Sequence, residues 1–569
     1  MKICYVWVEQ FKNFNDFGLN LASNFKFSYD KSTNVVTKTD TNFKPAYIFP
    51  SKIKDVCGII GENGTGKSNA LELLCMALKN NSKKLTTNFL IITEDNGNYT
   101  CHVSIAGKPL PECDDSINIV EYTGSINETK VIFFSNVFDE KEYTFDTSIS
   151  DISVNKDHML RFSRGENNAS NIYKQLNFIN SDQFDNLGIT YPNQIIVQLR
   201  HKIFFNRQST NNKDLDKMLS AFYFTLRKRI RDLNEESQFI NTVRLNFFME
   251  YLSSFYYYLF RKGENNTEIE EVLKYFESKM SAMQDIITDL KTDDVTHSLI
   301  KSILDFANRY DEKYIKLNKF NSFLSKKNEL INSCEFLLDI RSRLSSVKLS
   351  RMSYGVNSRE YKEYSLNYDE DSKSIIMDII KAFDYSRSIK LKWIGISSGH
   401  KAYLNLFSSV HHSLKVVRSE NIILCIDEGD LYLHPKWQAE FFDRLQNFLC
   451  EVSPCDIQLV LTSHSPFLVS DLPRHNLVIL KNLDSLGLVQ NQIEVDTFGA
   501  NLYELYSKAF FLNNIRTGCF SKSKIDELIE ISDSQPLDKI KIKTLKNVVK
   551  LIGDKVIKFR INERINGND

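Results

Sequence analysis

The sequence predicts an α/β fold, a mixed sheet with flanking helices, interrupted by a large all-helical insertion and followed by a small helical C-terminal region. Three observations predict it. A glycine-rich loop, Gly61-Glu62-Asn63-Gly64-Thr65-Gly66-Lys67-Ser68, stands between an apolar run from Val56 to Ile60 and an apolar-periodic stretch from Asn69 to Leu78. Two later apolar runs, Asn421 to Ile426 and Gln458 to Leu461, end in polar side chains, the pattern of buried strands that stop at a site. Between the loop and these runs, from about residue 197 to 345, the apolar period becomes helical, with Leu299, Ile300, Ile303, Leu304 and Ala307 on one face. The expected divisions are 1–150 for a first α/β lobe, 151–388 for a connecting segment and the insertion, 389–495 for a second lobe, and 496–569 for the C-terminal helices.

A chain of 569 residues holds roughly three or four structural units. Lys+Arg and Asp+Glu both total 72, so whole-chain charge gives no pull toward nucleic acid or anionic membrane, and any such surface must be local. The ten cysteines are scattered, with no C-x-x-C pair, which points to reduced thiols and a cytoplasmic protein. Cys450 and Cys455 are the nearest pair and lack partners at zinc spacing. The N-terminus runs directly into strand-like Ile3 to Val8, and no uncharged apolar run reaches the roughly 20 residues of a membrane span. No leader and no membrane contact are therefore expected. Phe247 to Phe260 is the most apolar segment, and with Glu250 inside it reads as a buried helix.

The first fifty residues alternate around Phe11-Lys12-Asn13-Phe14 and from Phe25 to Tyr29, predicting a small antiparallel sheet. Further strands are expected at Phe89 to Thr93, Tyr99 to Ile105 and Lys130 to Ser135, and an amphipathic helix over 69–78. Residues 150–195 are rich in Asn, Ser and Asp and weakly patterned, so loops and short helices are expected there. In the insertion Leu324, Leu330, Ile331, Leu337 and Leu338 continue the helical period. No heptad is sustained, which favours a compact subdomain over a coiled-coil arm. Val347 to Met352 and Glu363 to Tyr368 read as short strands, and Ile375 to Tyr385 as a helix. A strand from Ile389 to Ile394 then leads into Ser397-Ser398-Gly399-His400 and a helix from Lys401 with Leu404, Phe407, Val410 and Leu414 on its apolar side.

The glycine-rich loop is a complete G-x-x-x-x-G-K-S phosphate-binding loop in its required strand-to-helix setting. Glycines 61, 64 and 66 let backbone N–H groups, including those of Glu62, Asn63 and Thr65, wrap phosphate oxygens. The helix N-terminus and Lys67 add positive charge, and the Ser68 hydroxyl suits Mg²⁺. ATP with Mg²⁺ is the expected ligand. Asp427 and Glu428 close an apolar strand as a Walker B pair: Asp427 joins Ser68 at the metal, and Glu428 orients or deprotonates the attacking water. His464, in Ser463-His464-Ser465-Pro466, is expected to donate to the γ-phosphate. Ser397 and Gly399, at a second helix start, form another anion-binding end. One phosphate needs one cradle, so the second makes sense in trans, against the nucleotide of another protomer.

The order of phosphate loop, Ser-Ser-Gly-His, Asp-Glu and Ser-His resembles an ABC-type ATPase head of the RecF, Rad50 and SMC kind, within the OLD-like AAA family. The Phe11 to Phe14 entry and the helical insertion fit it. Leu433-His434-Pro435, Thr462 to Pro466, Thr497 to Asn501 and Phe510-Phe511-Leu512 resemble most the PtuA-type ATPases of Septu and retron antiphage defence systems. The resemblance implies a homodimer through the heads and leaves a higher oligomer open. It further implies a separate HNH nuclease of the PtuB kind, docked on the insertion or the C-terminal helices and controlled by the ATP state. A retron reverse transcriptase and its DNA product stay open as partners. A RecF- or Rad50-like repair ATPase, or an ATP-binding scaffold with little hydrolysis, is the alternative.

The sequence departs from the family's pattern in places. Ile396 to His400 replaces Leu-Ser-Gly-Gly-Gln, so the roles of Ser397 and Gly399 carry over and that of the last residue does not. Ser135-Asn136 stands where a glutamine is usual, which makes Asn136 the candidate metal-proximal group. Gly429-Asp430 replaces Pro-Glu. The chain itself is not expected to be a nuclease: no Asp-x-Asp follows His464, only Glu494 with Asp496 and the helix-face pair Asp526-Glu527, and the histidines form no HNH cluster. Arg227 to Arg231 and Arg341, Arg343, Lys348 and Arg351 could meet nucleic-acid phosphates, although solvated helix faces explain them better. Phe255 to Phe260 reads as helix packing, and His411-His412 as surface.

Overall fold

The computed structural model describes the chain except residues 44–47, 127–128, 138–142, 156–170, 201–212, 263–266, 287–288, 318–323, 346, 352–360, 384–387, 419–420, 484–486, 492–494, 509–516, 534–538 and 567–569. It divides into two compact units, Met1–Phe498 and Gly499–Asp569.

The first unit is built on a seven-stranded sheet. Its order is Ser150–Asp151, Thr129–Ser135, Asn421–Asp427, Asp456–Thr462, Ile53–Gly61, Leu477–Leu483 and Gly487–Asn491, parallel except for the last strand. Parallel strands need both faces covered, which is why their sequences read as unbroken apolar runs. The phosphate-loop strand and the strand ending in Asp427 are not neighbours. The strand ending in Thr462 lies between them, so three C-terminal strand ends converge on one edge, where open α/β sheets bind ligands.

A second sheet is formed by Phe14–Asn20, Lys2–Phe11, Phe89–Asp95, Asn98–Ser104 and Ile117–Glu121. Along its second strand, Ile3, Val6 and Val8 pack toward the phosphate-loop helix, Lys67–Leu78, while Cys4, Tyr5 and Trp7 join Phe27, Tyr29 and Val36 of a small third sheet. A register shift between Ile3 and Tyr5 breaks the simple alternation. The phosphate-loop helix is thus sandwiched between two sheets. Ala70 to Leu78 are all buried, so the helix expected over 69–78 to show one solvated face is instead covered on every side, with Glu72 inside it paired to Lys12.

Gln194–Arg200, in the stretch expected to run from loops into helices, is a strand. It is central in an antiparallel sheet with Leu349–Arg351, Tyr361–Asn367 and Ile389–Trp393. Both its edges are paired and Ile195, Val197 and Leu199 are fully buried. The helices of the insertion include Glu235–Lys262, Thr292–Arg309 and Lys327–Leu344. Arg244, 1 % exposed, ties these three together by donating to the carbonyls of Leu337 (2.8 Å) and Leu338 (3.0 Å) and to Asp293 (3.2 Å). A buried guanidinium is tolerated because its donors are met in this way.

The second unit is helical, with Leu502–Lys508, Cys519–Asp533, Lys539–Val549 and Lys555–Asn566. Ile542, Leu545, Val549, Ile561 and Ile565 form its core. Among the described residues no helix is long and apolar enough to cross a membrane.

Candidate functional site

The phosphate loop leaves its strand at Gly61. A Cβ there would lie 2.5 Å from the carbonyl oxygen of Leu480 and 2.7 Å from Thr65 Oγ1, so the close approach of the two backbones requires glycine. Gly66 has φ 87°, the left-handed region, and a Cβ on it would meet the Asn13 side chain at 2.6 Å. Asn13 belongs to the hairpin turn between Phe11 and Phe14, and Asn69 Nδ2 donates to its Oδ1 at 2.8 Å. The Phe11 to Phe14 segment therefore closes over the loop. Gly66 is also the helix N-cap and has no side chain to take the first-turn amides, which keeps those donors available to an anion. Lys67 Nζ donates to the carbonyls of Gly61 and Glu62, 3.1 Å each. Burial pulls its pKa below the ordinary lysine value, opposed by Glu428 and Asp427.

Asp427 is 1 % exposed and surrounded by hydroxyls. Ser68 (3.0 Å) and Thr462 (2.7 Å) donate to Oδ1, and Ser135 (3.2 Å) and Tyr143 (3.5 Å) to Oδ2. Burial raises its pKa above the usual carboxylate range, against the pull of Thr462, Ser68 and Ser135. The approach of Tyr143 and Ser135 to Asp427 has no signature in the sequence, because these groups come from separate segments and meet only in the fold. Asn136 N donates to the Asp427 carbonyl at 3.3 Å. Its side chain is buried, and Nδ2 has no hydrogen-bond partner among the described residues. A buried amide of this kind fits an acceptor supplied by a ligand, and its O and N can exchange by a flip. Ser68 and Asp427 bring hard oxygens to one point, the donor type Mg²⁺ takes, and the glycine cradle suits the phosphates it bridges.

Glu428 has φ 49°, so the chain leaves the strand in a left-handed turn. Its N–H donates to Thr462 Oγ1 at 3.0 Å, and its Oε1 lies 3.6 Å from His464 Nε2. That histidine, followed by Lys67, holds the Glu428 carboxyl below its ordinary pKa, with burial opposing. Lys67, Ser68, Asp427, Glu428 and His464 are thus brought together.

Ser397 and Gly399 are not joined to that cluster by any described hydrogen bond. Ser397 caps the helix Ser398–Lys415, its Oγ accepting from His400 N at 3.2 Å. Ser397 and Ser398 are exposed and Gly399 is buried, where a Cβ would meet the Tyr432 carbonyl oxygen at 2.9 Å. His400 packs edge-on against Trp437, 4.5 Å between ring centres. His434 and Pro435 start the next helix, with His434 Nδ1 accepting from Lys436 N at 3.3 Å.

The other candidates are met in turn. His411 is not at the surface: it is 1 % exposed and packs on Phe178, 5.2 Å away, and burial lowers its pKa to about 4. Arg341 pairs with Asp293 and Glu236, and Arg343 with Asp339 and Asp378, so their charges are already engaged. Asp496 pairs with Arg474 at 3.5 Å. Asp526 and Glu527 stand on the helix Cys519–Asp533. No group of three or more His, Cys, Asp or Glu that could hold a metal occurs among the described residues, Cys450 and Cys455 included. The side chains of Arg351 and residues 256–260, and the whole of Phe510 to Leu512 and Glu494, lie outside the described residues.

Residues 203–470 match the family model described as "AAA domain, putative AbiEii toxin, Type IV TA system". That stretch contains Ser397, Asp427, Glu428 and His464, and the phosphate loop precedes it. The chain is 23% identical over 449 residues to "Retron Vc95 probable ATPase" of Vibrio cholerae serotype O1 biovar El Tor, covering 77% of this chain and 71% of that protein. It is 28% identical over 182 residues to "Septu protein PtuA" of Bacillus thuringiensis, 31% of this chain and 39% of the relative. The relatives it resembles thus include proteins named as a retron ATPase and as a Septu protein. "Retron Ec83 probable ATPase" of Escherichia coli is 29% identical over 102 residues, 17% of this chain and 18% of that protein. The fold is a mixed α/β one with flanking helices, and the family model it matches is described as an AAA domain.

Proposed function

We propose that this PtuA/retron-type chain binds ATP between two heads of a homodimer, hydrolyses it, and uses its ATP state to control a separate HNH nuclease in a cytoplasmic antiphage assembly. The observation that carries the ATPase reading is the convergence of Ser68, Thr462 and Ser135 on buried Asp427, beside Glu428 and the phosphate loop. Lys67 and the loop amides hold the phosphates of ATP. Mg²⁺, held by Ser68 and Asp427 with Asn136 nearby, would neutralise phosphate charge. Glu428 orients a water for attack on the γ-phosphorus and takes its proton, and His464 donates to the γ-phosphate. Ser397 and Gly399 reach the phosphates of the partner protomer's ATP; the exposure of Ser397 and Ser398 at a helix start, with no described hydrogen bond to the chain's own loop, supports this reading.

Mixing Lys67→Ala protein with Gly399→Asp protein should recover part of the wild-type ATPase rate, because one composite site then pairs an intact loop with an intact cradle. Verified heterodimers of folded variants that recover nothing would count against action in trans. For the nuclease assignment, the names of the relatives support membership of a retron or Septu system. The purified chain with Mg²⁺ or Mn²⁺ and ATP should leave DNA and tRNA intact. Cutting that survives repurification and disappears with a point mutation in this chain would move the nuclease into it.

A further inference from the structure

The turn after Asp427 links the hydrolytic centre to the loop that carries His464. Gly429 packs so tightly that a Cβ would lie 2.6 Å from Ile426 Cγ2 and 3.0 Å from Phe441. The turn closes with Leu431 N donating to the Glu428 carbonyl at 3.0 Å and Leu433 N to the Asp430 carbonyl at 3.2 Å. This folding turns the Asp430 carboxylate inward, where the residue is 5 % exposed. Among the described residues it is met there by one side-chain donor, Ser463 Oγ, at 2.5 Å. Ser463 is itself fully buried, and its Oγ accepts from Ser465 N at 2.8 Å. The hydroxyl thus has a donor on one side and a carboxylate on the other. The two residues flanking His464 are fixed to the turn that follows Glu428.

We infer that Asp430 is a positioning residue: through Ser463 it pins the Ser463-His464-Ser465 turn, and so holds His464 Nε2 3.6 Å from the Glu428 carboxylate. A buried carboxylate costs free energy unless it is bonded, and here the bond goes to the neighbour of His464. His464 itself is 41 % exposed on its side chain and so is not held by packing alone. Its geometry depends on the backbone on either side of it. This inference rests on the reading of Glu428 and His464 as ATPase residues, and the experiment separates the two.

Asp430→Ala removes the acceptor and should lower kcat about 10- to 100-fold with KM for ATP unchanged, since a catalytic group displaced by about 1 Å can cost 10²-fold. Ser463→Ala, which leaves the carboxylate in position, should reproduce that loss. Asp430→Asn keeps an oxygen acceptor for Ser463 and should retain most of the rate. In a His464→Ala background, adding Asp430→Ala should cost nothing further, a coupling that a merely structural role would not produce. Independently of turnover, carbethoxylation of His464 by diethylpyrocarbonate, followed by mass spectrometry on the full chain, should quicken several-fold in Asp430→Ala and Ser463→Ala and not in Asp430→Asn. Costs that multiply with His464→Ala, or an unchanged His464 reactivity in folded Asp430→Ala and Ser463→Ala, would overturn the inference. A wild-type chain without ATPase activity would instead defeat the hydrolytic reading, while the reactivity of His464 still decides the role of Asp430.

Discussion

Lys67→Ala is expected to lower turnover by about a hundredfold or more, because a fixed donor or charge aimed at the developing transition-state charge is commonly worth that much in rate, and to weaken ATP binding as well. The size follows from the electrostatics. Lys67 is 6 % exposed and faces two carboxylates, Asp427 and Glu428, which are the groups that hold its charge in place against burial. Without the ammonium, a polyanionic ligand would meet two acids and only the neutral loop amides. The folding penalty is smaller: two carbonyl acceptors, Gly61 and Glu62, lose one donor, at a cost of roughly 1–3 kcal/mol. Titration with a fluorescent ATP analogue in Mg²⁺, beside a thermal melt, separates the two effects. Binding within a few-fold of wild type in the folded variant would remove Lys67 from the phosphate site.

How far the sequence reveals this site depends on whether a signal is local. The phosphate loop, the Asp427–Glu428 strand end and the Ser463 to Pro466 turn are legible because a buried parallel strand is a continuous apolar run and its end is marked by polar residues. Their meeting at one sheet edge follows from strand order, which no single segment carries. The helix Lys67–Leu78 misleads for a related reason: one face packs on the strands of its own sheet, while the other is covered by strands of another sheet, from within residues 2–20 and from Phe89–Asp95, whose packing no local pattern reveals. Gln194–Arg200 borders the helical period that follows it and carries no separate signal, since its two partners stand more than a hundred residues downstream. His411 is different, for the signal was present. It lies four residues after Phe407 and seven after Leu404, on the same helix face, and that spacing outweighs the polarity of the His-His pair. Tyr143 had no signal, as its hydroxyl reaches Asp427 from a segment with no motif.

Glu428→Gln is expected to separate holding ATP from hydrolysing it. The substitution keeps the side-chain shape, and the left-handed backbone at φ 49° is no harder for glutamine than for glutamate, so thermal stability should stay near wild type. The Thr462 hydroxyl that accepts from the residue 428 N–H is untouched, as are Lys67, Ser68 and Asp427. Removing one negative charge beside Lys67 and Asp427 also relieves repulsion with a polyphosphate, so ATP affinity should equal or exceed that of wild type. The amide cannot accept the proton of an attacking water, and loss of a general base typically costs about 10²- to 10⁴-fold. ATP should therefore be retained through gel filtration, with the particle shifted toward the closed dimer, while phosphate release falls to near background. An unmutated rate of phosphate release would assign the proton transfer to another group, and rapid loss of ATP from the folded variant would mean that Glu428 holds the nucleotide rather than its water.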